Sequence, residues 1–152
     1  MFDVLVFLYE NCGVLDACGD EASLSRQLSD AGFPAHEISA AIGWLRDLIS
    51  TARAAHGQPA PTPGAVRVFS THELAHLGTE AAGFIAFLDG AGQLTPAQRE
   101  IVIERAMAVD DSPLALDALK VIVLMVLWSQ QADVDVLLLE ELLDDGTERL
   151  LH

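Results

Sequence analysis

One lysine and seven arginines are all the lysine and arginine in this 152-residue sequence, set against twenty-three carboxylates, for a formal net charge of −15. A chain so poor in cations repels nucleic-acid phosphate and anionic lipid at long range and favours basic protein surfaces. Cysteine is equally scarce. Cys12 and Cys18 stand in a C-x5-C spacing that suits neither a zinc knuckle nor a redox C-x-x-C pair, and two thiols make no disulfide framework. Long apolar runs are missing too. The longest, Val121 to Trp128, is far too short to span a bilayer and follows Asp117 and Lys120. Asp3 follows the start and no basic stretch precedes the apolar residues, so no signal peptide is expected and the chain reads as cytoplasmic, with reduced thiols. No G-x-S-x-G, P-loop or G-x-G-x-x-G is present, which removes the usual signatures of a serine hydrolase or nucleotide-binding enzyme.

What is present is mostly apolar. Half of the residues are hydrophobic, enough for a sizeable core in one domain or two small lobes. The acid gathers at the two ends, with Asp3, Glu10, Asp16, Asp20 and Glu21 at one and Asp133, Asp135, Glu140, Glu141, Asp144, Asp145 and Glu148 at the other.

The periodicity is helical almost throughout. Phe2 to Cys12 reads as a short buried helix and Ser23 to Ala31 as a second, with Leu24 and Leu28 on one face. Asp30-Ala31-Gly32-Phe33-Pro34 is a turn in which Gly32 can take the left-handed position past a helix end and Pro34 can open the next helix. There Ile38, Ala41, Ile42, Leu45, Leu48 and Ile49 form one apolar stripe, with Trp44 on its flank. Residues 56–65, HGQPAPTPGA, are a linker or long loop. Val66 to Phe69 is the single strand candidate. Ser70 and Glu73 then form a capping box, and Thr95, Pro96 and Gln98 form another. Asp117 to Ser129 is apolar almost all round and is expected to be the central buried helix. Val134 to Leu143 closes the chain with apolar residues on two faces, Val134, Leu137, Leu138 and Leu142 on one and Val136, Leu139 and Leu143 on the other. The second face calls for a cover from the other lobe or from a partner. The fold class that results is mainly α, a winged-helix-like N-terminal lobe over residues 1–70 and a helical lobe over 71–152.

One motif carries chemistry. His72-Glu73-Leu74-Ala75-His76 fits His-Glu-x-x-His, which sets two imidazoles one helical turn apart for zinc with a glutamate as general base. A chain of this composition contains the pattern by accident about 0.01 times, rare for one chain but common across many, so the local context decides. That context is against a metal. Glu73 is claimed by the capping box, His72 falls in the first turn where the positive helix end disfavours a cation, and the metzincin extension fails, since Gly78 is two residues after His76 rather than three and no third histidine stands at its place. Glu80, Glu100 and Glu104 are the downstream carboxylates that could complete a site, and nothing in the sequence selects one. The turn at Gly32 allows a helix–turn–helix, yet the polar face of its second helix, His36, Ala40, Gly43, Asp47 and Ser50 with Ser39 and Arg46 at one side, holds no basic cluster and no Asn or Gln to read a base edge. Arg99 shares a face with Val102, Ile103 and Ala106 and is expected to lie partly buried beside a carboxylate.

Three stretches together resemble the Smg family of small bacterial proteins. They are Met1-Phe2-Asp3-Val4-Leu5 with Leu8-Tyr9-Glu10-Asn11; Leu28-x-x-Ala31-Gly32-Phe33 with Glu37-Ile38, Ala41-Ile42, Trp44-Leu45 and Leu48; and Arg99-Glu100-x-Val102-Ile103-Glu104-Arg105 with Leu116-Asp117-x-Leu119-Lys120 and the closing Leu151-His152. The resemblance spans essentially the whole chain. It implies no catalytic residues and no cofactor, and its pattern does not call for histidine at positions 72 and 76. The expectation is therefore a non-enzymatic acidic cytoplasmic protein, an adaptor or regulator for a protein partner with a basic surface, with a homodimer also open. A DNA-associated winged-helix protein and a zinc-dependent hydrolase acting through His72, Glu73 and His76 are the alternatives.

Overall fold

The computed structural model describes residues 2–11, 21–56, 68–109, 114–130, 140 and 142. They form six helices: α1 (Phe2–Asn11), α2 (Glu21–Asp30), α3 (Ala35–His56), α4 (Thr71–Gly90), α5 (Pro96–Met107) and α6 (Leu116–Ser129). The fold is mainly α, and no strand occurs among the described residues. Of the expected strand, residues 66 and 67 lie outside them, and Val68 and Phe69 are in neither a helix nor a strand. Cys12, Cys18 and most of the 56–65 linker also lie outside.

Local chemistry sets most of the helix ends. After α2 the Gly32 backbone is left-handed, with φ +100°. Its N–H donates to the Ser29 carbonyl at 3.0 Å, and the Phe33 N–H reaches back to Leu28 O at 3.2 Å. These are the two bonds that close a helix with a glycine just past its end. The same turn drives the Phe33 ring edge-on against Phe7 of α1, 5.4 Å between centroids. Ser70 accepts from the Glu73 N–H while its own N–H donates to Glu73 Oε1. Thr95 and Gln98 repeat the arrangement at α5, with Pro96 in the first turn. Each box satisfies orphan amide donors that a bare helix start leaves exposed.

Helix α6 is the hub. From Ala118 to Trp128 every residue but Val121 is buried, and the helix packs on α1, α3, α4 and α5. Because it is surrounded, it needs no polar face, as its sequence indicates. Val4, Leu5 and Leu8 of α1 and Leu45 and Leu48 of α3 enter the same buried cluster as Leu77, Ile85 and Leu88 of α4 and Val102 of α5. Tyr9 closes one end edge-on against Trp128, at 5.7 Å. Residues on both sides of position 70 thus share one core, and Ser70 itself caps the first helix of the second half. Of the expected closing helix only Glu140 and Leu142 are described; both are helical, Glu140 exposed and Leu142 buried in the common cluster.

Helix α4 is broken. Gly78 sits at φ +80°, ψ 168°, a conformation that belongs to glycine, and it interrupts the helix two residues after His72-Glu73-Leu74-Ala75-His76. The break costs the first segment its onward hydrogen bonds. Leu114, just before α6, makes good one of them by donating its N–H to the His76 carbonyl at 3.0 Å.

Candidate functional site

The three residues of the zinc-type motif do not converge. His72 is exposed in the first turn of α4. Glu73 is hydrogen-bonded to the Ser70 amide at 2.9 Å, as the capping box requires. His76 Nε2 lies 3.2 Å from the carbonyl oxygen of Ala106 in the last turn of α5, so that nitrogen must carry the proton and donate. A ring nitrogen that donates has no lone pair for a metal. His76 therefore ties α4 to α5 through its ring and Ala106, and to the segment just before α6 through its carbonyl and Leu114. Among the described residues no group of three or more His, Cys, Asp or Glu side chains is placed to hold a metal ion.

Glu73 does meet two of the candidate carboxylates. Glu73, Glu100 and Glu104 line an open hollow of about 470 Å³ between the start of α4 and α5, floored by Ile103, Met107 and Ala108. Glu80 lies beyond the kink and faces solvent away from it. The hollow's carboxylates are engaged within the protein. Glu100 accepts from Arg99 Nε at 2.8 Å. Glu104 accepts from Arg105 Nε at 2.7 Å and Nη2 at 3.0 Å, and from the Thr51 hydroxyl at 3.3 Å. The Arg105 hydrogen bonds hold the Glu104 carboxyl below the usual carboxylate range, against the opposing effect of its partial burial. A carboxylate held ionised by a neighbouring guanidinium serves poorly as a proton donor, which applies to Glu104.

Every lysine and arginine described in the second half of the chain is turned inward. Arg99 is 6 % exposed and bridges Asp89 at 3.1 Å and Glu100. Burial works against its charge, but the bonds to Glu100 and Asp89 outweigh it and raise the guanidinium above its ordinary value. Arg105, 5 % exposed, lies over the Trp44 ring at 5.7 Å and donates to the Trp44 carbonyl at 3.4 Å, joining α5 to α3. The Trp44 indole N–H beneath it has no hydrogen-bond partner. Lys120 is 2 % exposed with its ammonium 5.9 Å from the centre of the Phe84 ring. Glu80, Glu104, Asp117 and Glu140 remain exposed. Among the described residues of α4 to α6 the outward charge is therefore carried by carboxylates, while in the first half Arg26, Arg46 and Arg53 reach solvent. The pairing of Arg99 with carboxylates matches the sequence reading. The burial of Lys120 and the Arg105–Trp44 stack were not visible there, since the partners of the stack are 61 residues apart.

These features define a mainly helical protein whose described second half shows carboxylates as its exposed charge. The chain belongs to the family described as "Protein of unknown function (DUF494)", which matches it over residues 1–152. It is similar to proteins named "Protein Smg homolog": 48 % identical over 152 residues to that of Methylibium petroleiphilum, 48 % over 153 residues to that of Bordetella petrii, and 47 % over 152 residues to that of Leptothrix cholodnii, covering the whole of both chains in each case. No solved structure matches it.

Proposed function

We propose that the protein is a non-enzymatic cytoplasmic adaptor or regulator that binds another protein through a basic surface. The observation that carries this is the inward turn of Arg99, Arg105 and Lys120, which leaves the described exterior of α4 to α6 with carboxylates as its outward charge. An anionic surface of this kind speeds encounter with a cationic partner and disfavours nucleic acid and anionic membrane. No helix among the described residues is long and apolar enough to cross a membrane. The engagement of Glu73 and His76 in structural hydrogen bonds supports the same reading against hydrolysis.

A winged-helix-like arrangement of the first lobe is a second reading, supported by the tight turn at Gly32 between α2 and α3. It is compatible with protein binding, since such folds serve both purposes. The test is affinity purification from native lysate at low and at high salt, repeated with Glu80→Lys, Asp117→Lys and Glu140→Lys combined. The expected result is a single stoichiometric protein with a basic surface that is lost on raising the salt and on charge reversal. Recovery of nucleic acid, or of nothing, contradicts the proposal.

A further inference from the structure

We draw no further inference here: the strongest candidate, the open hollow between the start of α4 and α5 lined by Glu73, Glu100 and Glu104, is an acidic cluster whose carboxylates are engaged by Ser70, Arg99 and Arg105 within the protein, and no second observation among the described residues points to a ligand.

Discussion

Replacing Arg105 tests the link between the two halves of the chain. Its guanidinium is buried, grips Glu104 twice and covers Trp44 of α3. Arg105→Ala removes two buried methylenes, about 1.6 kcal/mol at about 0.8 kcal/mol each. Loss of the guanidinium–indole contact adds about 1 kcal/mol. The ion pair adds little, because the Glu104 side chain is 50 % exposed and water can replace its partner; such pairs contribute about 0–1 kcal/mol. The expected loss is therefore about 2–3 kcal/mol, or about 5–10 °C in melting temperature for a chain of this length. Arg105→Met keeps the stem and should cost about 1 kcal/mol. Acid dependence gives a second readout. Glu104 is held below its ordinary value of 4.5 by Arg105, so the stability it contributes is present above pH 4.5 and is lost as pH falls through its lower folded value. In Arg105→Met that component of acid sensitivity should disappear. Urea titration followed by tryptophan fluorescence reads both. Equal losses for Ala and Met would refute the assignment of most of the effect to stem packing. An Arg105→Ala chain within about 0.5 kcal/mol of the parent would refute burial at this place.

Three further outcomes follow from the backbone and the surface. Gly83→Ala should raise stability by about 0.5–1 kcal/mol in a thermal melt, whereas Gly32→Ala, forced to positive φ, should lower it by about 1–2 kcal/mol; the same sign for both would contradict the turn geometry. Glu73→Ala should lower stability by about 0.5–2 kcal/mol through loss of the cap, equally with and without added zinc; a zinc-dependent difference would return the residue to metal chemistry. Fluorescence anisotropy with random duplex DNA at physiological salt should show no submicromolar binding, given the net charge of −15; tight binding that falls steeply with salt would reverse that expectation.

The parts of the fold legible in the sequence are those decided by neighbouring residues. The Ser70–Glu73 and Thr95–Gln98 boxes and the left-handed Gly32 each depend on side chains within a turn of one another, and all are found as read. Helix α6 was legible because an element apolar on all sides has only the interior to occupy. What escaped was decided at long range. The Gly78 kink is held in part by the Leu114 N–H, far along the chain, and the motif's own spacing suggests an unbroken helix. Trp44, read as a flank residue, is buried because Arg105 of α5 lies over it. The β-propensity of Val66 to Phe69 did not produce a strand at Val68 and Phe69, and among the described residues no other strand offers a ladder to join. The HELAH motif could be weighed from sequence, but only the position of His76 beside Ala106 shows how its ring nitrogen is used.

Native mass spectrometry of the protein purified gently from its own cells tests the central claim most directly, because one spectrum reads metal, self-association and partner together. The account predicts the 16.3 kDa chain without zinc in a complex with a different, basic protein. A lone chain carrying one zinc, lost on His76→Ala, would contradict it.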